Sequence, residues 1–564
     1  MNQNIIAIVD EYTDKSNFIE LGIKTFSLSK GIFDDITIDE FIVNELKLQK
    51  PSILIIPASL GSIQTNYWGL RVGMHIRLSS AMEEYRFIPI IFVSQNSLEE
   101  ILRFQEEKLG LQCTLDGSLL VGNNIEEIQA TIDFLEPINT SRYVSGFVEK
   151  IIIERPPSIG KHSLANIWGA LRLNEVLNLN AINDKNLTNR TRELYFKYLR
   201  AFHEESKGSF KDLQPLLCNG KRILLIDDEA DKGWNDVLKA IFKGSDFQSI
   251  DFKNKTYDVA KQEALSKSIS EDWDLILLDL RLNPSEEDTG DKITKTEDYS
   301  GAKILKEIKK HNAGIQVIIL TASNKAWNMK KLLDLGVDGY YIKESPEFNF
   351  SPTFTNESYK NLKEEVRKCF ESIELKRIFE IHKKCYDFLK IDKPNKSNSY
   401  KFFYERSEAS LEIAFDLLKK SADDLKYLNL AYLTYFQILE DYVGQEENFR
   451  FVSKQECYIE DNRIIDNSNG NLEWKLEFKS DKTNGDYFKK NTQIKQNEVN
   501  VQSLSKISFV LAFKFNKDDI SLKKWGKLNN LRNTKAGHGG NGGSVKIEEI
   551  KELLDIVELF LTNQ

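Results

Sequence analysis

Residues 222–228, RILLIDD, open a series of four apolar segments that decides the fold of the middle of this chain. LILLDL follows at 275–280, VIILTAS at 317–323 and GYYIK at 339–343. Each segment is strand-sized and rich in aliphatic or aromatic residues, with room for a helix before the next. The alternation predicts a doubly wound five-strand α/β domain over residues 219–348. In such a sheet, ligands sit outside the carboxyl ends of the strands, where residues distant in sequence converge. Asp227 and Asp228 end the first strand, Asp279 follows LILL, Thr321 follows VIIL and Lys343 follows GYYI. All five fall on that one edge.

Carboxylates and a lysine at such an edge suit phosphoryl chemistry. Magnesium takes oxygen ligands and keeps several waters, so Asp227, Asp228 and Asp279 make a plausible Mg²⁺ site. The carboxylate of Asp279 can attack phosphorus, while Lys343 and the metal offset the incoming charge and Thr321 bonds a phosphoryl oxygen. The motifs DD at 227–228, LLDL around 279, LTAS from 320 and YYIK at 340–343 resemble the receiver domains of two-component response regulators. The resemblance implies Asp279 as phosphoacceptor, Asp227 and Asp228 as the acidic metal pair, Thr321 and Lys343 as phosphoryl-binding and switch residues, and Tyr340 as the aromatic switch. It also implies a histidine kinase or phosphotransfer protein as partner. Two departures stand out: Glu344 replaces the proline usual after the lysine, and the loop from Asn283 to Ser300 is long and acidic.

Residues 1–138 repeat the layout in degenerate form, with IIAIV, ILIIP and PIIFV as strands. Asp10 and Glu11 end the first strand and Ser94 ends PIIFV, but Pro57 and Ala58 stand where an acceptor aspartate belongs. The last strand region, taken as LQCTLDG, supplies no lysine. Without a carboxylate nucleophile no aspartyl phosphate forms. This unit resembles a receiver turned to contacts, with Asp10, Glu11 and Ser94 structural. Residues 139–218 show helical periodicity in LANIWGALRLNEVLNL and TRELYFKYLRAF and read as a helical spacer. GKHS at 160–163 is not a phosphate loop, because Arg155 stands at the first glycine position. The histidines His75, His162, His203, His311 and His382 show no partner pattern and receive no role.

PEFNFSPTFTNES reads as linker, and residues 349–399 as linker and connector helix. Residues 400–564 form a helical domain beginning with two packed helices. Within it a small β insertion falls at about 446–500, where Leu472, Trp474, Leu476 and Phe478 alternate with charged residues. In LKKWGKLNNLRNTKAGHGGNGG, Leu522, Trp525, Leu528 and Leu531 predict a buried face, while five lysines and arginines make the segment basic. Arg532, Asn533 and His538 resemble the R(N)x4–6H motif of HEPN domains, which include metal-independent ribonucleases. RNA carries its own 2′-hydroxyl nucleophile, so His538 could move the proton while Arg532 holds phosphate oxygens and Asn533 orients them. Six residues of separation put Arg532 and His538 about 120° apart on a regular helix. Either Gly537 breaks the helix or the site forms across a homodimer, as the family suggests.

The expected architecture is therefore multidomain α/β plus α: two receiver-like parallel sheets, a helical spacer and a C-terminal helical bundle. Five scattered cysteines support neither a disulfide framework nor a zinc site. No apolar run approaches the roughly 20 residues of a membrane span, and the start of the chain lacks a secretory signal, so a cytoplasmic protein is expected. A net charge of −9 gives no global attraction to nucleic acid, so any RNA site must be local. The combined expectation is a response regulator controlling a HEPN-type ribonuclease, with a stress or antiphage-defence role compatible with such an output. The alternative is a signalling adaptor whose HEPN-like module only dimerises or binds RNA.

Overall fold

The computed structural model describes residues 4–28, 34–104, 108–157, 159–203, 213–283, 286, 295–321, 326–346, 354–393, 398–422, 424–444, 449–453, 456–459, 476–481, 485–490, 503–537 and 543–562. The first unit is a parallel sheet of β1 (Ile5–Val9), β2 (Lys24–Ser27), β3 (Ile53–Pro57), β4 (Ile90–Ser94) and β5 (Ser118–Gly122) in the order β2-β1-β3-β4-β5. Strands β1, β3 and β4 are apolar almost throughout because helices cover both faces of the sheet. The segment LQCTLDG is not the last strand: Leu109–Thr114 is a 3₁₀ turn, and the strand is SLLVG just after it. The first unit also contributes helices α1 (Asp35–Phe41) and α2 (Trp68–Leu78).

The expected spacer is no passive spacer. Its helices α3 (Lys161–Val176) and α4 (Leu194–Phe202) pack into the two α/β units, and α4 reaches both, with Phe196 and Leu199 in the core of the second. Leu164, Ile167, Trp168 and Leu171 of α3 share one core with Ile223, Leu225, Trp234 and Tyr341 of the second α/β unit. Leu194 and Ala201 of α4 belong to the core of the first unit. There Lys197 reaches Asp39 at 2.5 Å and His75 Nδ1 at 2.9 Å, and His75 Nε2 lies 2.9 Å from Asp35. The two helices are joined by Arg172, which donates to the carbonyl of His203 at 3.2 Å.

The second unit has β6 (Arg222–Ile226), helix α5 (Trp234–Ile241), β7 (Asp246–Ser249), β8 (Leu275–Asp279), helix α6 (Ser300–His311), β9 (Val317–Thr321) and β10 (Gly339–Ile342). Its order, β7-β6-β8-β9-β10, repeats that of the first sheet, and every pair is parallel. This is the 2-1-3-4-5 doubly wound topology.

Helix α7 (Phe354–Glu371) starts inside the expected linker and packs Tyr359, Leu362 and Val366 into the core of the second unit. Helix α8 (Leu375–Asp392), expected as connector, instead joins the C-terminal core through Leu375, Ile378, Cys385 and Leu389. The expected helix pair is α9 (Asn398–Lys420) and α10 (Lys426–Val443). Two antiparallel hairpins follow, Phe449–Ser453 with Glu456–Ile459 and Leu476–Lys479 with Tyr487–Lys490. Leu472 and Trp474 lie outside the described residues. Helices α11 (Ser503–Phe509), α12 (Asp519–Leu531) and α13 (Ile547–Thr562) complete the helical region. Among the described residues no helix is long and apolar enough to cross a membrane.

Candidate functional site

The carboxyl edge of the second sheet gathers the residues expected there. Lys343 follows β10 and is buried, with Nζ 2.9 Å from Asp227 Oδ2 and 3.3 Å from Asp279 Oδ1. Its ammonium also stands 5.0 Å from the ring centre of Trp234. The other oxygen of Asp227 accepts the backbone N–H of Glu229 at 2.9 Å, so both oxygens of Asp227 are engaged. Asp228 Oδ1 and Asp279 Oδ2 are buried with no hydrogen-bond partner among the described residues. Thr321 ends β9 and is buried, and its carbonyl accepts the backbone N–H of Lys343 at 2.7 Å. Tyr340 is 38% exposed on the edge strand β10, while its neighbour Tyr341 is buried on the other face. That alternation turns Tyr340 outward.

Of the long acidic segment, Glu286 meets the start of α6. Its carboxylate accepts the backbone N–H and the hydroxyl of Ser300, each at 2.9 Å, at the start of α6.

Helix α3 closes this edge, and sequence reasoning missed it. Asn166 is 1% exposed, with Oδ1 accepting from Lys343 at 2.8 Å and Nδ2 donating to Glu229 at 2.9 Å. The Ser163 hydroxyl donates to the same Glu229 carboxylate. Glu344, the departure from the receiver pattern, is the anchor of the helix: it accepts Trp168 Nε1–H at 3.1 Å and lies 3.9 Å from Arg172. Gly169 permits the close approach, since a Cβ there would stand 2.9 Å from the Trp234 ring and 3.0 Å from the Glu344 carbonyl. His162, given no role from the sequence, lies at the acidic cluster with Asp228 and Asp279. The one available signal was Glu344 itself, a charged residue at a position that must be buried and therefore needs a partner.

The electrostatics follow from burial. Desolvation and then repulsion from Asp279 and Asp227 push the Asp228 carboxyl up to about 9. Burial likewise raises Asp279 to about 7, against the pull of Lys343. Burial disfavours the charged Lys343, but Asp227 and Asp279 more than offset it, and its pKa is raised. Two bare carboxylate oxygens in an acidic pocket fit a divalent cation, with Asp228 and Asp279 as the oxygen ligands.

This arrangement carries a pH prediction. A carboxyl whose pKa is raised on folding contributes stability below its ordinary range and loses it as pH climbs, here from about 4 toward about 9 for Asp228. Asp228→Asn removes that loss. In chelator-treated protein, its gain in Tm over the parent should be larger at pH 8 than at pH 5 by at least about 3 °C. Equal gains at the two pH values would contradict the assignment.

The first unit offers no counterpart. Asp10 is consumed by its own loop and the loop after β3, accepting from the Tyr12 N–H at 3.0 Å, the Thr13 hydroxyl at 2.6 Å and the Gly61 N–H. The Ser94 hydroxyl accepts the Asn96 N–H at 3.0 Å. Glu11 is exposed, and Pro57 closes β3 where the acceptor would stand.

In the helical region Leu522, Trp525, Leu528 and Leu531 are all buried, as their spacing requires. Arg532 donates to Asn533 Oδ1 at 3.1 Å, lies 3.3 Å from Glu440 and stands over Phe436 at 5.6 Å. Asn533 is exposed. The chain leaves α12 through a wider π-type turn, Arg532–Ala536, closed by the Gly537 N–H on the Arg532 carbonyl at 2.8 Å. His538 lies outside the described residues.

Residues 4–118 match the Inactive Receiver domain family. No curated protein matches the chain. Among solved structures, a two-component response regulator from Clostridium difficile is 24% identical, over 26% of this chain and 96% of its own, with a TM-score of 0.18. A CheY-like receiver domain protein from Methanospirillum hungatei JF-1 is 23% identical, over 26% and 97%, with a TM-score of 0.18. The response regulator domain of Thermotoga maritima CheB is 22% identical, over 27% and 96%, with a TM-score of 0.19. The Pro57 that replaces the acceptor and the family match at residues 4–118 agree: the N-terminal unit is an inactive receiver domain.

Proposed function

We propose that this chain is a response regulator whose second α/β unit takes a phosphoryl group on Asp279, and whose C-terminal helical region is the output. The observation that carries the reading is Lys343 held between Asp227 and Asp279 while Asp279 Oδ2 is left without a hydrogen-bond donor. An Asp279 oxygen forms the new bond to phosphorus as the bond to the donor's leaving group breaks, and that group departs with its electron pair. Lys343 balances charge on the transferred group, and the Thr321 hydroxyl is the switch contact. Asp228 and Asp279, beside Asp227, would hold magnesium, which would supply positive charge to offset the phosphoryl oxygens. The donor is a histidine kinase or phosphotransfer protein.

In this reading α3 is the element that responds. Asn166 occupies the lysine that the phosphoryl group needs, so phosphorylation and seating of α3 compete for Lys343. Two states that differ in that contact are what a switch requires. The inactive receiver is connected to α3 through α4 and biases the same equilibrium.

For the output, Arg532, Asn533 and His538 form a HEPN-type ribonuclease site, in a homodimer joined through this region and needing no metal there. A stress or antiphage-defence role fits such an output. One observation favours the adaptor reading instead: the Arg532 guanidinium is already engaged by Glu440 and Phe436, as a structural arginine would be. The experiment is cleavage of labelled RNA by the full chain and by His538→Ala, each with and without magnesium plus a small phosphodonor. The ribonuclease reading expects cutting that falls at least about 100-fold in the variant and changes with the donor. No cutting while Asp279 is phosphorylated in the same tubes selects the adaptor.

A further inference from the structure

The acidic edge of the second sheet has a nitrogen donor that comes from outside the sheet unit. Ligand atoms of His162, Asp228 and Asp279 lie within 4.8 Å of one another. Bonds of about 2.0–2.2 Å from one ion bring such donors together with small side-chain adjustments. Asp279 is only 3% exposed, and its Oδ2, like Asp228 Oδ1, has no hydrogen-bond partner among the described residues. Lys343 does not fill that role, being shared among Asp227, Asp279 Oδ1 and Asn166. The first turn of α3 is held over the cluster by the bonds of Ser163 and Asn166 to Glu229, and His162 Nε2 accepts from Asn166 Nδ2 at 3.2 Å, a contact that an ion bound at that nitrogen replaces.

The donor set selects the ion. Magnesium favours all-oxygen surroundings, whereas one imidazole with two carboxylates suits manganese, iron, cobalt, nickel or zinc. We propose that His162, Asp228 and Asp279 form a three-ligand site for a divalent transition ion, which fastens α3 across the phosphoacceptor edge. This deepens the receiver reading and rests on it for the role of Asp279. Magnesium uses the same two carboxylates without the imidazole, so it leaves α3 able to depart. The two kinds of ion thus have opposite consequences: one supports phosphorylation and the other keeps the helix seated.

The test is a Co²⁺ titration of metal-stripped full-length protein, followed by visible d–d absorption, with Mg²⁺ affinity measured in parallel. His162→Ala should weaken Co²⁺ binding by about 10- to 100-fold while changing Mg²⁺ affinity by less than about threefold. Asp228→Asn should weaken both. His162→Gln guards against loss of fold, and should match the alanine variant in Co²⁺ binding with an unchanged near-UV circular dichroism spectrum. Equal Co²⁺ affinity in parent and both His162 variants, or Co²⁺ binding no tighter than Mg²⁺, overturns the proposal. A small phosphodonor separates the two readings. Co²⁺ bound through His162 in a chain that the phosphodonor does not phosphorylate on Asp279 sinks the receiver reading and keeps the metal site. Phosphorylation of Asp279 with Co²⁺ binding indifferent to His162 does the reverse.

Discussion

Asp279→Asn is expected to abolish phosphoryl incorporation from a small phosphodonor, by at least about 100-fold relative to the parent chain, because the amide oxygen is no nucleophile. The substitution isolates chemistry from folding. Asp279 is buried, and desolvation already pushes its carboxyl up to about 7, so a neutral group of the same shape suits the pocket in the absence of metal. The variant should unfold no earlier than the parent. Labelling is read on the intact chain, and the label should be lost on treatment with hydroxylamine, as an acyl phosphate requires. Undiminished, hydroxylamine-sensitive labelling of the asparagine variant would move the acceptor elsewhere and remove the basis of the switch.

Lys343→Met carries the largest expected cost in stability, about 3–5 kcal/mol for the second unit in metal-free protein at pH 8. The methionine matches the stem of the lysine but leaves Asp227, Asp228 and Asp279 together without their internal cation. It also removes the donor to Asn166, so α3 loses a contact in the same step. The pH dependence has a definite sign. The carboxyl pKa values of Asp228 and Asp279 are raised, so lowering the pH protonates the cluster and relieves the repulsion. The destabilisation should therefore shrink between pH 8 and pH 5 in urea unfolding followed by Trp234 fluorescence. A cost below about 1 kcal/mol at pH 8 would mean that the acids are compensated by something other than Lys343.

Much of the second unit was legible because its signals are local. Runs such as LILLD and VIILT are apolar at every position since a parallel strand is covered on both faces, and that demand is written into consecutive residues. The end of each strand is marked by the residue that follows it, so the positions of Asp228, Asp279, Thr321 and Lys343 could be read from spacing. The same logic exposed the missing acceptor at Pro57 and the buried stripe from Leu522 to Leu531. Boundaries were less legible. Prolines at 346 and 352 suggested a linker, yet α7 begins at Phe354, because a proline just ahead of a helix does not oppose it.

Sequence alone determined that two receiver-like sheets occur, that the first lacks a nucleophile and that the second assembles an acidic edge with a lysine. It could not determine what covers that edge. The apolar period of α3 says that one face is buried, but a period carries no address, and the partners lie far along the chain: Asn166 meets Lys343 and Trp168 meets Glu344. Only the folded arrangement joins them, because a buried charge such as Glu344 is tolerated where distant donors happen to converge on it. The role of His162 is of the same kind. A lone histidine has no pattern in one dimension and acquires chemistry only when a helix from one part of the chain closes over carboxylates from another.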